Sequence, residues 1–331
     1  MRLRNLALCV AVGSAVVAAG VAALVRRPEL PDGPFTPEAA SIISDSGIRV
    51  TFLGVSTLVI SDGETNLITD GFFTRPSVRQ MLFGKIAPDA DVVDECLDRA
   101  GVHEAAAVLV AHSHFDHALD SPLVAQRTGA QLVGSRSTVQ VGLGFGLPPE
   151  QMVEVVAGEP LKFGRFTVTM VLSEHSPHGK FRGSIDAPLR LPAKTSEFKM
   201  AECYAMLIEH TDASGLSHSL MINASAGFRP GMLNGLSADV AYLGIGTLGK
   251  QSAEFRDAYW RETVLATGVR RVIPIHWDDF TKPLSSPLVP MPYVADDMGE
   301  SLRFLAERGA RDGVDLEIPR EWSVTDPFAG L

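Results

Sequence analysis

Three cysteines in 331 residues are too few for a disulfide framework, and none has the spacing of a thiolate metal site. Cys9 falls in an N-terminal apolar stretch. Cys96 and Cys203 have no histidine close in sequence, so thiol nucleophile chemistry has little support. Buried single thiols are the expected state of these two, with pairing in an oxidising compartment as the alternative. No G-x-S-x-G elbow is present, which removes the usual serine hydrolase arrangement. "GIGTLGK" (244–250) lacks the spacing of a phosphate-cradling loop and reads as a turn after a strand. Positive charge is also short: 29 Lys and Arg stand against 39 Asp and Glu, a net charge of −10. The four charged residues before Pro28 are all arginine, so the chain after them carries −14. A body this acidic argues against a general nucleic-acid-binding surface, and no nucleic-acid partner is expected.

What is present is a core-forming composition, 46% hydrophobic against 21% charged, which excludes extensive disorder. The N-terminus differs from everything after it. "MRLRN" precedes "LALCVAVGSAVVAAGVAALV" (6–25), twenty residues without a charge. That length suits a signal peptide or one membrane-spanning helix, and both imply an exported or membrane-anchored protein. Arginines at both ends and small residues near "VAAG" leave cleavage and anchoring both open. Residues 1–27 are therefore read as the targeting segment, 28–47 as a linker with "RRPELPDGPF" at its entry, and 48–331 as one catalytic domain.

Within that domain "IRVTFLGVSTLVI" and "TNLITD" read as two strands of a hairpin joined by "SDGE". "AAAVLVA" (105–111) reads as a strand buried on both faces. Further strands alternate with the helices "SAEFRDAYWRETVLATG" and "ADDMGESLRFLAERG", which should stop at Gly268 and Gly309. Hairpins first, then strands alternating with helices, imply layered sheets covered by helices. The polar stretch 176–198 is long enough for a functional loop, and His178, Lys180, Arg182 and Arg190 in it either meet an anionic substrate or are simply solvated.

The chemistry concentrates in "LVAHSHFDHALD" (109–120), with His112, His114, Asp116 and His117 at the exit of the buried strand. Imidazole nitrogen and carboxylate oxygen suit Zn²⁺ and related divalent metals. Extended-chain alternation sends His112 and His114 to one side, and His117 breaks it, so the group could serve two adjacent ions.

"HSHFDH" resembles the H-x-H-x-D-H motif of the metallo-β-lactamase-fold hydrolases. The similarity extends to the opening hairpin ending in Asp70, to "SEHSP" with His175, and to "RRVIPIHWDDF" with His276, covering about residues 48–280. It implies a four-layer αββα sandwich of the α/β class. It also implies that His112, His114 and His175 hold a first metal and Asp116, His117 and His276 a second, with Asp70 steadying the ligand loop. Zinc is the implied metal, with manganese or iron(II) as alternatives. Phe115 and Trp277 adjoin ligands and either wall the pocket or pack in the core.

One position departs from that family. An aspartate usually bridges the two metals after a late strand, whereas "SLMINASAGF" puts Ser225 at that position. A neutral hydroxyl is a poorer ligand than a carboxylate, so the second metal should bind more weakly unless Asp278, Asp279 or substrate compensates. Such a centre activates water near neutral pH for attack on an ester, lactone, amide or phosphodiester, with Asp116 orienting the nucleophile. The fold hosts many substrates, and a small-molecule or lipid-like one is expected, in the manner of the lactonase and N-acyl-phospholipid hydrolase branch. Ser225 keeps a rival open, a metal-binding or sensing protein without turnover. An iron-dependent redox enzyme on the same scaffold is a third reading.

Overall fold

The computed structural model describes residues 25–29, 46–177 and 179–331. The uncharged run up to Leu24, Cys9, most of the linker and His178 lie outside the described residues. Among the described residues no helix is long and apolar enough to cross a membrane.

Two seven-stranded mixed sheets stack face to face, with helices outside. The first holds β1 (Arg49–Phe52), β2 (Leu58–Ser61), β3 (Asn66–Thr69), β4 (Ala107–Leu109), β5 (Gln131–Gly134) and β6 (Met152–Glu154) in that spatial order. The second holds β7 (Pro160–Phe163), β8 (Phe166–Ser173), β9 (Cys203–Thr211), β10 (Ser217–Asn223), β11 (Val240–Gly244), β12 (Arg271–Ile275) and β13 (Asp315–Leu316), also in order. β14 (Val324–Thr325) returns to pair with β1. The layered α/β sandwich expected from sequence is therefore the observed architecture. Its helices are α1 (Val78–Phe83), α2 (Ala90–Ala100), α3 (Phe115–Ala118), α4 (Ser121–Thr128), α5 (Arg136–Phe145), α6 (Ala253–Trp260, extended by a π turn over Arg261–Leu265) and α7 (Met298–Asp312).

β4 shows how the apolar run makes the core. Ala107 and Leu109 face the space between the sheets, among Phe52, Met206 and Tyr242. Val108 and Val110 face the helical side, among Val93, Leu97 and Leu123. A strand covered on both faces has no polar side to show, which is why the stretch reads as continuous hydrophobicity. Truncating such a side chain, as in Leu109→Ala, costs about 2–5 kcal/mol through lost burial and the cavity left behind.

Two local expectations are corrected. The stretch 48–60 is two antiparallel strands, because Gly54 and Val55 take positive φ (92° and 51°) and reverse the chain, closed by Leu53 N–H donating to the Thr57 carbonyl. α7 runs through Gly309 and ends at Gly313, whose φ of 68° supplies the left-handed cap. Gly309 instead allows close packing, since a Cβ there would lie 2.8 Å from the Val314 carbonyl oxygen. Gly268 does end the helical run at 68°, as its position suggested.

β3, β4 and β5 run parallel, as do β10, β11 and β12, so their C-terminal ends emerge together. The ends of β3, β4, β8, β10 and β12 carry Asp70, His112, His175, Ser225 and His276 respectively. At this edge Tyr204 N–H, at the start of β9, donates to the Ala111 carbonyl at 2.9 Å and ties the two sheets together.

Candidate metal centre

Backbone after β4 stays extended, held by Val110 N–H on the Val133 carbonyl and by Ala111 N–H on Asp70 Oδ1, both at 2.8 Å. His112 and His114 therefore project together, with His112 Nε2 and His114 Nδ1 3.1 Å apart. His175 closes the group, its ring 4.9 Å centroid to centroid from each of the other two. His114 also starts α3, and that single turn swings Asp116 and His117 toward the other side of the cleft. There they meet His276, whose Nε2 is 3.4 Å from Asp116 Oδ2; His117 Nε2 is 3.7 Å from the same oxygen. In each trio, one potential ligand atom per residue lies within 4.8 Å of the others. The two trios adjoin, the rings of His112 and His117 being 3.9 Å apart.

For three of the rings the surroundings select which nitrogen is free. His114 Nε2–H donates to the Lys180 carbonyl at 2.8 Å and His175 Nδ1–H to the Ser176 carbonyl at 3.0 Å, so His114 Nδ1 and His175 Nε2 present lone pairs. His117 Nδ1–H donates to Asp70 Oδ2 at 2.8 Å, and Asp70 also accepts from the Ser56 hydroxyl. His117 Nε2 is then a fully buried lone pair without a hydrogen-bond partner among the described residues. A buried acceptor left unpaired is costly, and a cation beside Asp116 and His276 would satisfy it. The residues present thus fit a divalent metal at both trios.

His276 holds a left-handed backbone, φ 58°, fixed by its N–H on the Val55 carbonyl at 2.6 Å. Gly246, from the "GIGTLGK" turn, leaves it room: a Cβ there would come within 2.9 Å of His276 Nδ1. The ligand loop is also pinned from below. The Ser121 hydroxyl donates to the carbonyls of Asp70 and His117, and Asp120 accepts from the Phe73 and Thr74 N–H groups. Burial raises the Asp120 carboxyl to about 6.

Burial, followed by the neighbouring rings, pushes His112 well below the usual imidazole range, and burial likewise lowers His114 and takes His175 to about 4. These rings stay neutral, the form that binds metal. For Asp116 burial pulls upward, but His117 and His276 outweigh it and hold the carboxylate ionised. Burial disfavours charge on His117 too, yet Asp70 and Asp116 raise it overall.

Ser225 lines the cavity as expected, but its hydroxyl accepts the Ser176 N–H at 3.1 Å, beside His175. The two acids offered as replacements are committed elsewhere. Asp278 forms a fully buried ion pair with Arg75 at 2.6 Å and accepts the Val55 N–H, and Asp279 binds Arg27 and Thr281. Neither completes the second trio. Sequence reasoning missed Asp296, a buried carboxylate in the cavity wall whose oxygens accept the N–H groups of Thr247 and Asp297; burial raises it. It also missed Thr247, held at φ 65° with a buried hydroxyl that has no partner among the described residues. The one signal was that "VADDMG" carries two acids where α7 needs one cap, Asp297.

Together these residues surround a cavity of about 230 Å³. Phe115, Phe181, Phe280 and Met291 give it apolar walls, with Lys180 at its edge. Trp277 packs on Phe52 in the core, and of the loop cations among the described residues only Lys180 reaches the cavity. Cys96 and Cys203 are free and buried, with burial pushing both thiols to about 12.

No family model matches the chain. A relative from Myxococcus xanthus, described as a UPF0173 metal-dependent hydrolase, is 25% identical over 284 residues, 85% of this chain and 88% of its own length. A possible metal-dependent hydrolase from Veillonella parvula superposes with a TM-score of 0.51 at 12% identity, over 84% of this chain and 98% of that one. Igni18, a metallo hydrolase from Ignicoccus hospitalis, superposes with a TM-score of 0.50 at 15% identity, over 84% and 97%. The superpositions show a shared fold.

Proposed function

From the premise that this chain is a metal-dependent hydrolase of the metallo-β-lactamase superfamily, we propose that it is a dinuclear enzyme, with zinc the expected metal, cleaving an ester, lactone, amide or phosphodiester in an amphiphilic substrate. His112, His114 and His175 would hold one ion; Asp116, His117 and His276 would hold the other. Bound there, the ions supply Lewis-acid polarisation of the substrate and activation of water at neutral pH.

The protein's own groups do the rest. Asp116, held ionised, accepts a hydrogen bond from the attacking water and fixes its direction. Asp70 keeps the His117 proton on Nδ1 and so keeps Nε2 free. The Thr247 hydroxyl is placed to bond a polar substrate atom, and the phenylalanine walls take the apolar part. Lys180 at the cavity edge meets any anionic group. Export or anchoring through residues 6–25 places this chemistry outside the cytoplasm.

The observation that carries the proposal is the buried, unpartnered Nε2 of His117 facing Asp116 and His276 beside a second group of convergent imidazoles. The experiment is metal analysis of purified protein, followed by a screen of ester, lactone and phosphodiester substrates. Two zinc ions per chain with hydrolysis is the expected outcome. Stoichiometric metal with no hydrolysis on any substrate would favour the sensing rival, and bound iron would favour the redox one.

A further inference from the structure

The described N-terminal residues pack against segments that wall this cavity. The Arg27 guanidinium pairs with Asp279 at 2.6 Å and donates to the Pro290 carbonyl, and Tyr293 N–H donates to the Arg26 carbonyl at 3.0 Å. The Asp279 side chain is only 3% exposed and that of Arg27 29%, so the carboxylate is buried while the guanidinium still meets solvent. The segment that receives Arg26 and Arg27 also gives the cavity Met291, Ala295 and Asp296. No linker separates the uncharged run from this contact: the run ends at Val25, and Arg26 is already bonded to Tyr293.

Beside this wall segment three large side chains face solvent: Val25 at 56% exposure, Tyr293 at 38% and Val294 at 56%. Cations flank them, since Arg26 is exposed and Lys250 Nζ lies 2.9 Å from the Val294 carbonyl. Apolar and tyrosyl side chains bordered by Lys and Arg form the surface that settles at a lipid headgroup boundary.

We propose that the cavity mouth faces an anionic phospholipid bilayer, with Val25, Tyr293 and Val294 at the headgroup level, and that substrate enters from the membrane. The inference rests on residues 6–25 being retained as a membrane anchor. If that run spans the bilayer, Val25 marks the interface, and the contact to Tyr293 then places the cavity rim within a few ångströms of it. A freely tethered body would present no fixed face; this one is pinned at the first residue after the run.

The test uses the full chain with Cys9→Ser, reconstituted into phosphatidylcholine–phosphatidylglycerol vesicles and floated on a gradient. Val294→Cys is compared with Leu216→Cys, an exposed site in the turn between β9 and β10. β9 starts at the metal-centre edge, so that turn lies roughly 25–30 Å away at a strand rise of ~3.3 Å per residue. Each variant's labelling rate with a charged, membrane-impermeant maleimide is divided by its rate after unfolding in urea. The expected result is flotation of the chain, with Val294→Cys protected at least tenfold relative to Leu216→Cys. Flotation with equal labelling of the two sites would overturn the facing of the cavity while leaving the anchor intact. Failure to float would overturn both.

Discussion

The two trios at the centre are built to opposite rules. His112, His114 and His175 are three neutral imidazoles, two of them steered by main-chain carbonyls, those of Lys180 and Ser176. Asp116, His117 and His276 include a carboxylate that could ligate a metal, and Asp70, a buried second carboxylate, orients one of their rings. Ser225 in place of an acid therefore does not leave the second trio without negative charge. Two carboxylates already flank His117, and that ring is shifted toward its cationic form when the first trio is shifted away from it. The lesson is that charge compensation in such a centre can be read only ring by ring, from the partner of each distal nitrogen.

The largest test of this contrast is His114→Ala. Hydrolysis should fall to the uncatalysed background with one metal lost per chain, read by metal analysis on the same preparation; retained hydrolysis would sink the assignment of the first trio. Next is Asp70→Asn, which removes the group that orients His117. A 10–100-fold loss of metal affinity or activity is expected, the usual scale for such partners. The loss should be confined to the second ion in a calorimetric titration, and equal weakening of both would erase the distinction between the trios.

Ser225→Asp should work in the other direction. A carboxylate at this position is expected to tighten the second ion by roughly tenfold, about 1.4 kcal/mol, as measured by competition with a chelator. No change would mean that Asp116 and Asp70 already supply all the charge the site can use.

The smallest effect is on the metal-free protein. Histidine NMR titration should find His175 near 4 and His117 above the ordinary imidazole value. The signs oppose each other. His175, depressed by burial, contributes stability that is complete above the unfolded imidazole value of about 6.5 and lost as pH falls toward 4. His117, raised by Asp70 and Asp116, contributes stability that is complete below about 6.5 and lost as pH rises through its folded value. His175→Ala should accordingly flatten the acid side of the melting-temperature profile by a few degrees, about 2–4 °C per kcal/mol. An unchanged acid limb would show that His175 is not buried as described.

Much of this was legible in the chain itself, for identifiable reasons. "HSHFDH" is a local cluster at the exit of an apolar strand, so His112, His114, Asp116 and His117 needed no long-range information. His175 and His276 followed from motif order. Asp296 and Thr247 were not legible, because their place in the cavity wall depends on the "GIGTLGK" turn folding against the start of α7. The reversal at Gly54–Val55 was hidden because the strands on both sides are apolar and read as one run. Gly309 was misjudged because a glycine for close packing and a glycine for a cap look the same in sequence.

Sequence by itself determined the layered α/β class and the donor types gathered in residues 112–117, through periodicity and side-chain chemistry. The significance of Ser225 rests instead on the resemblance to a family that usually has an acid there. Tertiary structure alone decided which nitrogen of His114, His117 and His175 is free and that Asp278 and Asp279 are held by Arg75 and Arg27. It alone also showed that Arg26 and Arg27 pack against the segment that gives the cavity Met291, Ala295 and Asp296. Those outcomes depend on contacts between residues as distant in sequence as Arg26 and Tyr293, which no local pattern encodes.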